Sequence, residues 1–382
     1  MVHTSYNETN QCEGFLTEYE CSVALKQMQN NKSPGSDGIS TEFFKIFWND
    51  IKSFLVNSLN YSFQNKNMTD LQKQSIITLL PKSGKDTTIL DNWRPISLLN
   101  VDYKIATKSI SNRIKPVLSS IISPSQTGFI KGTYIGENIR LLFETLDDIE
   151  NANSPAILFF SDFEKAFDSL NQSYIFKCLE HYNFGQSLIN WVKLFYADAQ
   201  SCVINNGHLS HFFPIKCGVR QGCPLSPYLF ILCIELLSHE ISQNNNIKGV
   251  NLDGHEIKET LFADDATFFT DGSKKSFETL IDVLDNFKYI SGLRLNHSKC
   301  TALKAGSLRT SKNVYCKNKK FKWCNDSVKA LGVTFHTENK NKHALNLEPK
   351  IQEFNNCLKS WQHRKLTLMG KSLFLKVLHY LN

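Results

Sequence analysis

The chain has 382 residues, of which 41% are hydrophobic and 21% charged, and its formal net charge is +7. This composition is typical of a globular protein and is sufficient for two or three subdomains with cores of their own. No run of about 18 apolar residues occurs, so the sequence predicts no membrane span and no membrane partner. Eleven cysteines without a Cys-x-x-Cys pair favour a reducing compartment, and the positive charge favours a polyanionic partner.

The N-terminal part of the chain reads as helices interrupted by one strand. Thr17 and Glu20 match a capping box, which predicts a helix from there to about residue 31. The turn-rich segment 32–38 separates it from the next helix. The further predicted elements are a helix over about 41–63, a strand over 73–80, a loop over 81–95 and helices over about 101–121 and 136–150.

Strands and helices alternate from residue 155 onwards. Predicted strands cover 157–163, 201–205, 211–216, 299–303 and 331–335, and predicted helices cover about 171–182, 186–198, 225–242 and 275–290. The segment 345–381 is helical by its apolar spacing, with a stripe formed by Leu373, Phe374, Val377 and Leu378. This order predicts an α+β fold with helices on one face of a sheet, for which a ferredoxin-like βαββαβ unit is a natural candidate.

The segment 260–269 (Thr-Leu-Phe-Ala-Asp-Asp-Ala-Thr-Phe-Phe) predicts two short strands that meet at an acidic tip, Asp264 and Asp265. Adjacent carboxylates repel each other unless a cation neutralises them. Asp162 ends an earlier apolar strand, and its alternative role is that of a turn or helix-capping residue. Three carboxylates at strand ends can hold a pair of Mg²⁺ ions for attack on a phosphate. The sequence therefore predicts a polymerase-type nucleotidyl transferase.

Residues near these carboxylates suit a nucleotide. Phe167 is either a core residue or a ring that excludes a 2′-hydroxyl from the sugar pocket, and Phe163 is assigned to the same nucleotide-binding set. Asp168 is interpreted as a helix cap instead of a metal ligand. Lys299 is either a surface lysine or a proton donor to leaving pyrophosphate.

The segment 218–230 combines a turn rich in glycine and proline with the start of an apolar helix. Backbone amides at that helix start, with Arg220 and Gln221, suit a phosphate and a base stacked nearby. A simple helix entry explains the prolines but not this polar cluster. Lys82 and Arg94 flank the loop after the first predicted strand, and both are predicted to reach a triphosphate.

Taken together, these motifs resemble the reverse transcriptase region of a non-LTR (LINE-type) retrotransposon. The resemblance runs from about Leu16 to the C-terminus, and its blocks follow the order of that family. The matching segments are 31–39, 76–82, 92–100, 126–132, 162–168, 220–227, 262–265, 291–299, 331–333 and 361–371. Their joint order is far more specific than any single block.

The resemblance implies a right-hand polymerase architecture with fingers, a ferredoxin-like palm and a helical thumb. The expected ranges are an N-terminal helical extension or fingers base over 1–70, fingers over 71–153, a palm over 154–335 and a partial thumb over 336–382. The implied reaction is RNA-directed DNA synthesis, in which a primer 3′-hydroxyl attacks the α-phosphate of a dNTP and pyrophosphate leaves.

The resemblance also implies roles for single residues. Asp162, Asp264 and Asp265 correspond to the ligands of two Mg²⁺ ions, for which Mn²⁺ can substitute, and with Lys299 they form the catalytic set. The nucleotide-binding set is Lys82, Arg94, Phe163, Phe167, Arg220 and Gln221, and the primer-binding set is Leu331, Gly332 and Val333. Thr133 stands where such elements usually carry arginine.

The partners implied are an RNA template, a DNA primer or target, and dNTPs, and the implied location is nuclear and cytoplasmic. A second hypothesis is a truncated, non-catalytic nucleic-acid-binding remnant of such an element, which Thr133 and the abrupt end of the helical tail favour. A third is a group II intron reverse transcriptase, against which the blocks 92–100 and 262–265 argue.

Overall fold

The structure is a computed structural model that describes residues 11–338 and 342–362, together with 367, 369–370 and 372–373. Its helices are α1 (Glu18–Lys26), α2 (Thr41–Ile46), α3 (Trp48–Gln64), α4 (Asp70–Lys73), α5 (Val101–Ile121), α6 (Ile135–Asn151), α7 (Ala166–Ser169), α8 (Gln172–His181), α9 (Gln186–Tyr196), α10 (Ser226–Gln243), α11 (Lys274–Ser291) and α12 (Lys342–Gln362). Its strands are β1 (Gln74–Pro81), β2 (Trp93–Leu99), β3 (Ala156–Ser161), β4 (Gln200–Asn205), β5 (His208–Leu209), β6 (Phe213–Pro214), β7 (Val250–Leu252), β8 (His255–Ile257), β9 (Glu259–Phe262), β10 (Asp265–Thr270), β11 (Thr301–Ala305), β12 (Lys322–Cys324), β13 (Ser327–Ala330) and β14 (Val333–His336).

The first helices begin where their caps were predicted. The Thr17 hydroxyl accepts a hydrogen bond from the Glu20 amide, and the Glu20 carboxylate accepts one from the Thr17 amide, which confirms the capping box. Helix α1 ends at Lys26, earlier than predicted. The single helix predicted over 41–63 is divided at Phe47, whose backbone (φ −93°, ψ 14°) ends α2 and starts α3.

A first sheet has the order β2-β1-β4-β5, with β6 paired to β4. Strand β1 pairs antiparallel with β2 and parallel with β4. The prediction of a loop up to residue 95 was wrong, because β2 already begins at Trp93. Pro95 is tolerated there because β2 lies at the sheet edge, where a missing N–H disrupts no ladder.

The second sheet confirms the ferredoxin-like prediction. Its strand order is β12-β11-β3-β10-β9, and β3 and β10, β10 and β9, and β11 and β3 pair antiparallel. Helix α10 lies in sequence between β3 and β9, and α11 lies between β10 and β11. These six elements form a βαββαβ unit, which is the predicted palm. Five short strands, β5, β7, β8, β12 and β13, were not predicted.

Strand β3 is buried on both faces, which explains its uninterrupted apolar sequence. Ile157 and Phe159 face the larger hydrophobic core, whereas Leu158 and Phe160 face a smaller one that α6 covers. A strand held between two cores is rigid, so the residue that follows it, Asp162, leaves the sheet from a fixed position.

The predicted domain ranges remain predictions. Strand β4, from the range predicted as palm, pairs with β1 from the range predicted as fingers. Helix α12 overlaps the predicted helical tail and begins slightly before it, whereas Phe374, Val377 and Leu378 of the predicted apolar stripe lie outside the described residues. Among the helices that the structure describes, none combines the length and apolar character needed to span a bilayer.

Candidate active site

The two adjacent aspartates lie in a tight hairpin. Phe262 pairs with Asp265 across β9 and β10, so Ala263 and Asp264 form a two-residue turn. Strand β10 pairs with β3 through Ala266 and Ser161, the last pair of that ladder. Asp265 comes directly before Ala266 and Asp162 directly after Ser161, so both lie just beyond this pair on antiparallel neighbouring strands. The sheet therefore brings all three predicted carboxylates to one end of the palm.

The carboxylates interact electrostatically. Burial, together with the charges of Asp264 and Asp162, raises the pKa of Asp265 to about 6. Burial also raises the pKa of Asp264, with a further contribution from Asp162, although both hairpin side chains keep contact with solvent. Protein atoms thus crowd three acidic groups that repel one another, and this repulsion favours a bound cation.

Three basic side chains face the same carboxylates. Lys299 Nζ lies 3.9 Å from Asp162 Oδ2. Burial raises the pKa of Asp162, and the charges of Lys299 and Lys82 oppose that increase. Arg94 acts in the same direction on the pKa of Asp264. Lys82 and Arg94 come from the ends of the β1–β2 hairpin, so the first sheet contributes positive charge to the acidic end of the palm.

The donor chemistry fits a divalent cation, since hard carboxylate oxygens are the preferred ligands of Mg²⁺ and Mn²⁺. Within residues 11–338 and the other described positions, no three His, Cys, Asp or Glu side chains already surround a common metal position. The strand pairing fixes the backbone positions from which the three aspartate side chains extend.

Two phenylalanines predicted to contact the nucleotide differ in placement. Phe163 is 6% exposed and pairs with Leu295, so it lies in the core. The Phe167 ring stacks on Phe230 with 4.6 Å between ring centroids and 14° between planes. That stacking fixes the direction of the Phe167 ring, which a steric gate requires. Both nucleotide assignments stay predictions.

The interpretation of Asp168 as a helix cap was wrong. Helix α8 is capped by Asn171, whose side chain accepts a hydrogen bond from the Ser173 amide. Asp168 instead accepts hydrogen bonds from Gln221 Nε2 on both carboxylate oxygens, at 3.1 and 3.2 Å. This contact joins the segment after Asp162 to the loop before α10.

The loop before α10 is fixed against β2. The Ser97 amide donates to the Gln221 carbonyl at 2.7 Å. Gly222 has φ of 108°, and a Cβ added there would lie 2.7 Å from the Ser97 carbonyl oxygen, so this position requires glycine. Arg220 is 4% exposed, donates to the Lys73 carbonyl at 2.8 Å and lies over a tyrosine ring. Arg220 therefore supports the loop from inside, and its contact with a nucleotide stays a prediction.

The predicted primer-binding residues lie at the turn between β13 and β14, and Val333 is the first residue of β14. Leu331 (φ 50°) and Gly332 (φ 76°) occupy the two turn positions, the combination that a type I′ hairpin requires. Arg309 links the two ends of this hairpin to α6 through ion pairs, a role that the sequence did not indicate. Its guanidinium lies 3.7 Å from Glu150 on α6, 3.8 Å from Asp326 before β13 and 3.2 Å from Glu338 after β14.

Thr133, which stands in place of the expected arginine, has an internal role. Its hydroxyl hydrogen-bonds with the carbonyls of Thr127 and Ile130, at 2.7 and 3.0 Å. These contacts close the loop between residues 127 and 133. The side chain thus stabilises a loop next to the acidic hairpin instead of extending into solvent.

A palm of this topology, with carboxylates at one end and a basic strand pair facing them, defines a right-hand template-directed polymerase. The sequence profile described as "Reverse transcriptase (RNA-dependent DNA polymerase)" matches residues 80–335, about two thirds of the chain. The chain belongs to this family, and members of the family generally use a divalent metal.

Curated relatives come from mobile elements. An uncharacterized 149 kDa protein of transposon TX1 from Xenopus laevis is 32% identical over 325 residues, which is 85% of this chain and 24% of that protein. The Pol polyprotein of the type-1 retrotransposable element R2 from Popillia japonica is 27% identical over 229 residues, 59% of this chain and 31% of that protein. The RNA-directed DNA polymerase from mobile element jockey of Drosophila melanogaster is 26% identical over 294 residues, 73% of this chain and 31% of that protein.

The chain thus spans only 24% to 31% of the length of these relatives. They confirm the resemblance to non-LTR retrotransposon reverse transcriptases. Among solved structures, apo telomerase from Candida tropicalis, truncated from its C-terminal domain, superposes with a TM-score of 0.49 at 13% identity, covering 80% of this chain and 62% of that one.

Proposed function

We propose that this chain is an RNA-directed DNA polymerase that extends a DNA 3′-hydroxyl on an RNA template with dNTPs as substrates. One observation carries the proposal: Asp162, Asp264 and Asp265 lie at one end of the palm, and the charge of Asp162 helps to raise the pKa of both hairpin carboxyls. Membership of the reverse transcriptase family supports it independently.

The carboxylates would hold two Mg²⁺ ions, or Mn²⁺ in their place. When bound, such ions lower the pKa of the attacking hydroxyl and stabilise the charge on the leaving oxygens. The protein's own groups do the rest. Lys299, close to Asp162, holds a proton at Nζ that a pyrophosphate oxygen takes as it leaves.

Substrate binding follows from the neighbouring elements. Lys82 and Arg94 neutralise the triphosphate from the β1–β2 hairpin. Phe167, held by its stacking partner, blocks a 2′-hydroxyl and so selects a deoxyribose. The Leu331–Val333 turn supports the primer end.

The test is extension of an oligo(dT) primer on poly(rA) with dTTP and Mg²⁺. The parent chain should incorporate dTMP, and Asp264→Ala should abolish incorporation while leaving folding and RNA binding intact. Asp282→Ala provides a matched control, because it removes an exposed carboxylate from α11, away from the acidic hairpin. Its incorporation rate should equal that of the parent.

Synthesis by the Asp264→Ala variant at the parent's rate would refute the site. A folded parent that binds RNA with strong salt dependence and incorporates nothing would instead identify a non-catalytic binding protein. The parent and the control must therefore be measured in the same RNA-binding assay as the variant.

A further inference from the structure

A buried glutamine contacts the turn that carries the catalytic pair. Gln126 is 2% exposed and lies in the segment between α5 and α6. Its Oε1 accepts hydrogen bonds from the Ala263 amide at 2.9 Å and the Gly128 amide at 2.8 Å. Its Nε2 lies 3.4 Å from the Ala263 carbonyl, to which it donates. One side chain thus binds both backbone polar groups of the residue before Asp264.

Ala263 is the residue in this turn that needs such support. Its φ is 58°, in the left-handed region, where an L-residue with a Cβ is strained. A glycine would adopt this conformation freely, whereas alanine holds it only when the surroundings fix it. The backbone at Ala263 determines where the Asp264 and Asp265 side chains leave the hairpin.

The glutamine is itself held rigidly. The Leu261 amide donates to the Ser125 carbonyl at 2.8 Å, and the Thr127 amide donates to the Leu261 carbonyl at 3.0 Å. Through these bonds the segment 125–127 pairs with β9, the edge strand of the palm sheet, in parallel orientation. Gly128 completes the contact, because a Cβ there would lie 2.3 Å from the Ala263 nitrogen.

We propose that Gln126 is a positioning residue that holds the Ala263–Asp264 turn in its strained form and thereby sets the affinity of the acidic site for divalent cations. The inference rests on the proposed cation site and adds to it a residue that touches neither cation nor substrate. Partners that orient metal ligands typically change metal affinity by about 10- to 100-fold when they are removed.

Gln126→Met tests the proposal, because methionine has nearly the same length and makes none of the three hydrogen bonds. The matched control is Asn138→Leu. Asn138 is also 2% exposed, and its Nδ2 donates to Thr260 Oγ1 and to the Leu261 carbonyl, both at 2.8 Å. Asn138 Oδ1 also accepts a hydrogen bond from the Thr127 hydroxyl, so the control removes buried bonds to β9 and to the segment 125–127 but none to the Ala263–Asp264 turn.

The readout independent of activity is binding of Mn²⁺ alone, followed by the electron paramagnetic resonance signal of the free ion. The parent should bind Mn²⁺ and Asp264→Ala should not. We expect Gln126→Met to bind it about tenfold more weakly and Asn138→Leu to match the parent. The Mg²⁺ concentration for half-maximal primer extension should rise by the same factor in Gln126→Met alone.

The outcomes distinguish a failure of the proposed cation site from a failure of the role proposed for Gln126. A parent that binds no more Mn²⁺ than Asp264→Ala overturns the proposed cation site and this inference with it. A parent that binds Mn²⁺, with a folded Gln126→Met that binds it equally well, overturns only the role of Gln126. Equal weakening by Asn138→Leu does the same. If Gln126→Met does not fold, Gln126→Asn replaces it, since asparagine keeps a buried amide but is too short to reach Ala263.

Discussion

Replacing Glu259 with glutamine should reduce the dependence of folding stability on pH. Glu259 lies at the start of β9, and its Oε1 accepts hydrogen bonds from the hydroxyls of Ser238 and Ser125. Its other oxygen has no hydrogen-bond partner among the described residues. Burial raises the pKa of this carboxyl from 4.5 to about 7, although the hydrogen bonds from Ser238 and Ser125 and the charge of Lys258 oppose the increase.

The size and direction of the change in folding stability with pH follow from this raised pKa. The folded state keeps the Glu259 proton at pH values where the unfolded chain has lost it, so protonation stabilises the fold. That contribution is fully present below about pH 4.5 and is lost as the pH rises through about 7. At about 1.4 kcal/mol for each pH unit between the two pKa values, the loss is about 3 kcal/mol.

Urea unfolding of the parent and of Glu259→Gln between pH 5 and 8 measures the difference. Parent stability should fall with pH by up to about 3 kcal/mol more than that of the variant. Glu256→Gln, which removes an exposed carboxylate from β8, should behave like the parent. Parallel pH profiles for parent and Glu259→Gln would show that the carboxyl does not retain its proton in the fold.

Three further changes test the site. Phe167→Ala should raise incorporation of rNTPs relative to dNTPs by about tenfold in single-nucleotide extension, because the ring no longer blocks the 2′-hydroxyl. Gly222→Ala should raise the KM for dNTPs, since the new methyl group would lie 2.7 Å from the Ser97 carbonyl oxygen and displace the loop at a cost of about 1–3 kcal/mol. Arg309→Met should raise the KM for the primer–template while leaving that for dNTPs unchanged, because it releases the β13–β14 hairpin at a cost of about 1–2 kcal/mol.

Each of these predictions has a contradicting result. An unchanged ratio of rNTP to dNTP incorporation in a folded Phe167→Ala would remove the gate assignment. Normal dNTP affinity in Gly222→Ala would mean that the loop can move without affecting the nucleotide. A rise in both KM values for Arg309→Met would indicate a general loss of stability, which thermal unfolding would reveal.

The sequence was sufficient to predict an element where a short local pattern determines its structure. The capping box at Thr17, the apolar strand before Asp162 and the hairpin around Asp264 each appear in the structure close to their predicted places. All three depend on short-range physics, either a cap or an alternation of apolar residues. The order of these elements was then enough for the ferredoxin-like palm.

Prediction from the sequence failed where contacts between residues far apart in the chain determine the local structure. Pro95 favoured a loop, and only the position of β2 at a sheet edge makes a strand acceptable there. The burial of Arg220 beneath the loop is not visible in its local sequence either, and its predicted contact with a nucleotide stays a prediction. The roles of Gln126 and Arg309 depend on distant partners: Ala263 is 137 residues from Gln126, and Glu150 is still farther from Arg309. No local pattern carries such information.

The parallel pairing of β1 with β4 has a consequence for how the chain folds. Ser75 and Ser201, which face each other in this pairing, are separated by 126 residues. At a synthesis rate of about 5–20 residues per second, β1 waits about 6–25 s on the ribosome before its partner exists. During that time the β1–β2 hairpin presents an open edge to other chains.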